Sequence, residues 1–376
     1  ADAGGAPHEA WIAAPFAAFY AAFALVLVPA GRWCDRHGAR GTVLLGLGLA
    51  GGGLGALAIG ATTPNPLVLT LARFVCGLGQ GLVFIGLQSQ LLAQAGPQAR
   101  SRAAGVIVSG FQGGMIAGVA LGALIHDMLD AKGLFALAAA LIAGAFVYAL
   151  TSLRGSTPVT APTRRRVLPD LFALAREPGF VGATLLVGLP AKAVLTGVVA
   201  FALPLLLATA DYAKAEIGQV LVLYALCVLG ASRCATRLAD GAAGARSVLL
   251  GGVAISGAGL LVLGVGEGAG VLSLLVGAAL VGVGHGLINA PVVAYVASTP
   301  AAGTIGAAST AASYRLLERI GHIAGPPLVG AALALTVEPW AGLGLIGLAV
   351  LILGVGFAVL TWLQGSPASD ALRAGA

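Results

Sequence analysis

One apolar run of this chain, residues 305 to 336, carries four side chains able to do chemistry: Arg315, Glu318, Arg319 and His322. Their spacing of i, i+3, i+4 and i+7 puts all four on one face of a helix. Counted from a start near residue 305, Arg315 lies about 15 Å along that helix and His322 about 25 Å along it. An ionisable group at the middle of a bilayer costs at least about 2.5 kcal/mol on insertion scales, so each needs an interior partner or a water-filled cavity. Glu318 can neutralise Arg315 or Arg319 as an internal salt bridge. Alternatively, Glu318 takes up a proton while a released arginine grips an anionic group through paired hydrogen bonds.

Other polar residues interrupt apolar runs in the same way. Lys192 follows Pro190, where a kink frees backbone carbonyls that the ammonium could satisfy, or the lysine could meet a solute. His285 and Asn289 are four apart, and a membrane histidine can be either a packed hydrogen-bonder or a cavity residue. Arg73 precedes Gln80 and Gln88 at i+7 and i+15, on nearly one face. It reads as a solute-binding arginine or a capper of backbone carbonyls. The candidate solute-binding set is therefore Arg73, Gln80, Lys192, His285, Asn289, Arg315, Arg319 and His322, with Glu318 as the proton-coupling carboxylate. Glu318 apart, the ionisable members are mostly cationic, which favours an anionic or carboxylate-bearing solute.

The elements that must hold these residues follow from composition. Of 376 residues, 59% are hydrophobic and 9% charged, and the mean hydropathy is +0.99. Soluble domains carry about 25% charged residues, so this chain cannot cover a water-facing surface and a soluble enzyme is excluded. The 58 glycines follow no three-residue period, which excludes collagen. Apolar runs of about 20 residues match a helix crossing roughly 30 Å of hydrocarbon, and no alternating barrel strands occur.

Eleven such segments are predicted, near 12–30, 42–62, 67–92, 104–125, 133–153, 180–208, 217–235, 247–266, 271–297, 305–336 and 341–363. An internal repeat accompanies them. Gly77-Leu78-Gly79-Gln80-Gly81-Leu82 returns as Gly282-Val283-Gly284-His285-Gly286-Leu287, and Val43-Leu44-Leu45-Gly46 as Val248-Leu249-Leu250-Gly251, both at a shift of 205. Gly114-Met115-Ile116-Ala117-Gly118 returns as Gly321-His322-Ile323-Ala324-Gly325 at 207. The same register places the counterpart of the 180–208 segment before residue 1. The chain is therefore expected to be a twelve-helix protein represented by helices 2 to 12.

Fourteen of the 20 Lys and Arg residues fall in loops on one side of these segments or in the tail, and only Lys132 and Lys214 on the other. By the positive-inside rule the Arg-rich side and the C-terminus are cytoplasmic, with residue 1 outside. The net charge of +6 then reports orientation, and no nucleic-acid partner is predicted. The stretch 154–177, with Pro158, Pro162, Pro169 and three consecutive arginines, reads as a cytoplasmic linker. It separates an N-terminal bundle, 1–153, from a C-terminal bundle, 178–376. Two related bundles suggest a substrate path between them.

Gly31-Arg32-Trp33-Cys34-Asp35-Arg36-His37-Gly38-Ala39-Arg40, between the first two segments, resembles the loop signature of the major facilitator superfamily. Gly31, Asp35, Arg36, Gly38 and Arg40 stand at its positions. Leu69-x-x-x-Arg73-x-x-x-Gly77-x-Gly79 is similar to a second signature of that family. Gly114-x-x-x-Gly118-x-x-x-Gly122 is similar to its antiporter signature, with Val119 in place of proline; the second-half copy carries Pro326. The resemblance implies an all-α membrane fold of two pseudo-symmetric six-helix bundles and a secondary transporter of the drug- or solute:proton-antiporter-like branch. It also implies a monomer in the cell (inner) membrane, with efflux favoured over uptake. Asp35, near a helix C-terminus where the dipole disfavours an anion, should seek Arg36, Arg40 or another helix N-terminus and act as a gate latch; the alternative is that these charges only set topology. Asp240 is its weaker counterpart, since little else of the motif survives in Arg237-Leu238-Ala239-Asp240-Gly241.

Gly46-Leu47-Gly48-Leu49-Ala50-Gly51 fits a dinucleotide fingerprint literally, but it lies in an apolar segment with no strand before it. Cys34, Cys76, Cys227 and Cys234 lack metal-ligand spacing, and no cofactor or metal is predicted. The leading expectation is proton-coupled, alternating-access transport of a small organic anion. A membrane sensor that uses the same fold without net transport stays open as the alternative.

Overall fold

The computed structural model describes residues 5–62, 65–94, 128–153, 167–240, 244–266, 270–305 and 307–364, and eight further residues between 110 and 125. The described residues form helices joined by short turns, and no strand occurs among them. Backbone groups in hydrocarbon must be satisfied within their own segment, and a helix achieves this for uninterrupted apolar runs. Eight helices among the described residues are long and apolar enough to cross a membrane: Gly38–Gly60, Pro66–Leu91, Ala131–Ser152, Pro178–Thr209, Lys214–Ala239, Gly244–Gly264, Gly270–Ala297 and Pro339–Gln364. Ala14–Leu27 is a shorter apolar helix. Ala307–Ala334 has 28 residues and carries the charged stripe. In the expected 104–125 segment, Gly110, Gly114, Gly118 and Gly122 are helical; residues 104–109 lie outside the described residues.

Prolines and short polar side chains set the helix starts. Pro66, Pro178, Pro291, Pro300 and Pro339 each open a helix, where a missing N–H costs nothing. Asn65 Oδ1 accepts from the Leu67 and Val68 N–H groups, and Asp130 Oδ1 accepts from Gly133 N–H at 2.7 Å. Leu141, Val147, Ile352 and Val359 point outward, as lipid-facing side chains should. Part of the stretch read as a linker is helical, Val167–Leu174; residues 154–166 lie outside the described residues.

The chain packs as two compact units, Ala1–Arg165 with Ala213–Gln219, and Arg166–Tyr212 with Val220–Ala376. In the first, Val43, Leu47 and Ala149 form one buried cluster, and Leu57, Ala72 and Cys76 another. In the second, Phe180, Leu203, Leu249, Leu263, Leu274, Tyr314 and Phe357 are fully buried.

The internal repeat reappears as matching packing inside each unit. Gly77 faces the Phe19 carbonyl, and Gly282 faces that of Tyr224, 205 residues beyond Phe19. A Cβ on Gly79 would lie 2.6 Å from Gly46 O and 2.5 Å from Ala50 N; one on Gly284 would lie 2.6 Å from both Gly252 O and Ser256 N. Gly81 meets Phe23 and Val26 as Gly286 meets Val228 and Ala231. In each unit three alternating glycines thus let one helix wedge against two neighbours, the close approach that small residues permit in lipid.

The expected loop at residues 31–40 is not a loop. Helix runs from Gly5 to Gly60 with one non-helical residue, Gly38, at φ 78° and ψ 163°. That region is open essentially to glycine alone, so a single residue turns the chain where a loop was expected. Asp35 consequently lies in the last turn before the break. Two residues after it, Arg40 Nη2 donates to Leu150 O at 2.9 Å and caps the end of Ala131–Ser152. The second unit repeats the device. Gly244, 206 residues on, has φ 68°, and Arg246 Nη2 donates to Ala358 O at 3.3 Å. More of the motif survives there than the sequence reading allowed: Gly244-Ala245-Arg246 copies Gly38-Ala39-Arg40, displaced by one residue relative to Asp240.

Candidate functional site

In the second unit, Pro190 removes an N–H from the middle of Pro178–Thr209. The helix adapts by widening on both sides: Leu189 N–H bonds Thr184 O, and Leu203 N–H bonds Val198 O, both five residues back. Such π turns absorb a proline and re-aim the side chains next to it. Lys192 sits between the widened stretches. The Gly270–Asn289 helix ends at Asn289, and a new one starts at Pro291. Two interrupted helices therefore present Lys192 and Asn289.

The third element is Ala307–Ala334, whose glycines let it press against the Lys192 helix. A Cβ at Gly321 would meet Leu189 O and come within 3.1 Å of Lys192 Cβ; one at Gly325 would lie 2.5 Å from Ala193 O. Thr196, fully buried, shares its hydroxyl hydrogen between Lys192 O at 3.1 Å and His322 O at 3.0 Å, fixing the two helices in register. Gly188 leaves room for the ring of Tyr314, which is buried beside Glu318.

These three elements bring four predicted residues together. Lys192 Nζ donates to Asn289 Oδ1 at 2.8 Å and lies 3.9 Å from Glu318 Oε2. Arg315 Nη1 donates to Glu318 Oε1 at 3.1 Å and Oε2 at 3.4 Å. Glu318 is 1% exposed, whereas the Arg315 side chain is 35% exposed. The internal salt bridge expected on this helix is thus present, made with Arg315 and joined by Lys192. Lys192 bonds a side-chain amide and not the carbonyls freed by Pro190. Arg319 and His322 are buried on the same helix, and His322 Nδ1 donates to Glu318 O at 3.1 Å. The described helices here hold three cations, Lys192, Arg315 and Arg319, around one carboxylate. An anion entering such a cluster would compete with Glu318 for the cations, and the net charge would be kept only with a proton taken up by Glu318.

His285 lies one turn before Asn289. It is 2% exposed, and its Nδ1 is 2.7 Å from the Tyr224 hydroxyl, with the rings edge to face. Sequence reasoning missed Tyr224 and Thr196. The repeat register could have found Tyr224, which is the counterpart of Phe19.

In the first unit, Arg73 stacks its guanidinium 4.6 Å from the Phe19 ring centroid and 5.9 Å from that of Phe16. These are cation–π contacts within one unit. Gln80 is half-buried on the same helix as Arg73, and Gly31 has open space around it. The side chains of Asp35, Arg36 and Asp240 lie outside the described residues.

The profile of the Major Facilitator Superfamily matches residues 5–313, most of the chain. The chain belongs to this superfamily. It is a multi-pass membrane transporter and not an enzyme. Its fold is similar to the crystal structure of the nucleoside transporter NupG, with a TM-score of 0.75 at 15% identity, covering 94% of this chain and 90% of that one. A single-site variant of NupG gives a TM-score of 0.73 at 14% identity, covering 94% and 91%. At such identity the likeness concerns the major facilitator fold alone. No curated protein matches the sequence.

Proposed function

We propose that this transporter moves a small organic anion by alternating access, coupled to protons through Glu318. The observation that supports this reading is the buried cluster in which Lys192 and Arg315 hold Glu318 at 3.9 and 3.1 Å, with Arg319 buried on the same helix. An incoming anion competes with Glu318 for Lys192 and Arg315. Once displaced, the carboxylate is a buried charge without its counter-ions, and taking up a proton relieves that cost. Solute and proton are then linked through the same two cations. Arg73, Gln80, Lys192, His285, Asn289, Arg315, Arg319 and His322 form the binding set in this proposal. Gly31, Asp35, Arg36, Gly38, Arg40 and Asp240 form the gating set.

The Arg-rich loops orient the protein in the cell's inner membrane with a cytoplasmic C-terminus. The motif resemblances at Arg73 and Gly31 to Arg40 favour efflux, by a monomer. Flux of a panel of radiolabelled carboxylates in proteoliposomes under an imposed pH gradient tests the proposal. Wild type is expected to be driven by the gradient, and Glu318→Gln to keep exchange while losing the drive. A gradient-driven Glu318→Gln protein would remove Glu318 from the coupling role, and flux of neutral solutes alone would end the anion reading.

A further inference from the structure

We infer that His285 Nε2 is a solute-binding subsite that takes a hydroxyl group of the transported molecule. The inference rests on the transport reading above and adds the chemistry of a second contact. His285 is 2% exposed, and its Nε2 makes no hydrogen bond among the described residues. A buried polar atom left so bears its full desolvation penalty and calls for an explanation. The ring is not loosely held. Its other nitrogen is fixed 2.7 Å from the Tyr224 hydroxyl, and the backbone beneath is locked by Gly284 against Gly252 and Ser256 and by Gly286 against Val228.

The Tyr224 bond couples the hydrogen-bonding character of Nε2 to that of the phenol. A neutral imidazole carries one N–H, so Nε2 donates where the phenol donates to Nδ1 and accepts where the phenol accepts from it. In either tautomer the subsite is a single hydrogen-bonding nitrogen, which a hydroxyl satisfies. Its position suits a solute held at the charged cluster: His285 shares a helix face with Asn289, one turn on, and Asn289 binds the Lys192 ammonium. Of the charged groups on the packed helices, Lys192, Arg315 and Arg319 take the ionic end in competition with Glu318, and His285 reads a second oxygen about one helical turn, roughly 5 Å, away. The class this describes is a hydroxylated organic acid.

Binding to the purified full chain is measured with two pairs of probes, lactate against propionate and uridine against 2′,3′-dideoxyuridine. Wild type is expected to bind lactate about tenfold tighter than propionate, the discrimination expected of one hydrogen bond to a buried nitrogen. His285→Phe should bring that ratio near one by weakening lactate more than propionate, and His285→Gln, which retains a hydrogen-bonding group, should restore it. Should the phenylalanine variant not fold, Tyr224→Phe, which releases Nδ1 and the held ring, is expected to lower the ratio in its place. A wild-type ratio of one for both pairs, or a His285→Phe protein that weakens both members of a pair equally, overturns the subsite. Discrimination confined to the uridine pair and lost in His285→Phe keeps the subsite and overturns the anion reading, so the two failures are distinct. Binding of none of the four probes overturns both.

Discussion

Lys192 Nζ and Asn289 Oδ1 lie 2.8 Å apart, and their bond joins two helices where proline interrupts each: Pro190 stands two residues before the lysine and Pro291 two after the asparagine. Interrupted helices in membranes place polar groups at mid-depth, where a regular helix would bury its backbone. The ammonium found there also faces the carboxylate of Glu318.

Lys192→Met removes one counter-charge of a carboxylate that is 1% exposed and leaves Arg315 as its partner. Breaking a buried pair outright costs about 3–5 kcal/mol, and the surviving arginine should reduce this to about 2 kcal/mol. Unfolding in detergent should show that loss. The double variant with Glu318→Gln should lose less than the sum of the singles, because the carboxylate that suffers is gone. Additive losses would mean that Lys192 and Glu318 do not interact.

The glycine wedges make a paired prediction. Gly284→Ala drives a methyl to within 2.6 Å of Gly252 O, which is backbone and cannot turn aside, whereas Gly251→Ala meets nothing within 4 Å. The first should cost about 1–3 kcal/mol by overpacking. The second should be neutral or gain up to about 1 kcal/mol of helix propensity. Thermal midpoints of the two purified proteins decide between this and a uniform intolerance of side chains.

Gly38→Ala forces a Cβ onto φ 78°, ψ 163° and should cost about 1–3 kcal/mol, while Gly31→Ala, in helical backbone with open space, should not destabilise. Because Gly244 has φ 68°, Gly244→Ala is expected to be destabilising as well. Equal midpoints for the Gly38 and Gly31 variants would refute the single-residue turn.

Arg73→Lys keeps the charge but loses the planar stack 4.6 Å from Phe19. The stack should contribute about 0.5–2 kcal/mol, and a cycle with Phe19→Leu measures it as coupling in stability. A lysine variant as stable as wild type, with no coupling to Phe19, would leave Arg73 without that support.

Much of this was legible in the sequence because membranes simplify the rules. Apolar runs of about 20 residues have one means of satisfying their backbone, so Pro66–Gln94 and Gly270–Ala297 fall within a few residues of their expected bounds. The stripe Arg315, Glu318, Arg319 and His322 was visible because helical periodicity is local. What joins it to Lys192 and Asn289 was not, because contacts across 97 residues depend on how three helices cross. A charged decapeptide looks like a loop, and only the φ of Gly38 shows that one glycine is enough to turn the chain. Gly244-Ala245-Arg246 is hidden in the sequence because the register slips by one between Asp240 and Gly244, which a fixed shift does not follow.

The seats beneath Gly77 and Gly282 bear on how the two halves differ. Phe19 and Tyr224 occupy the same place in each, yet one supports Arg73 and the other His285; Ala278 stands at the position of Arg73, and Gln80 at that of His285. The two units share the backbone wedge and differ in the aromatic ring and in what rests on it. One ring is a platform for a fixed cation, and the other, with its phenolic oxygen, holds an imidazole. Different ligand chemistry is thus set by side chains alone on the same glycine-crossed backbone.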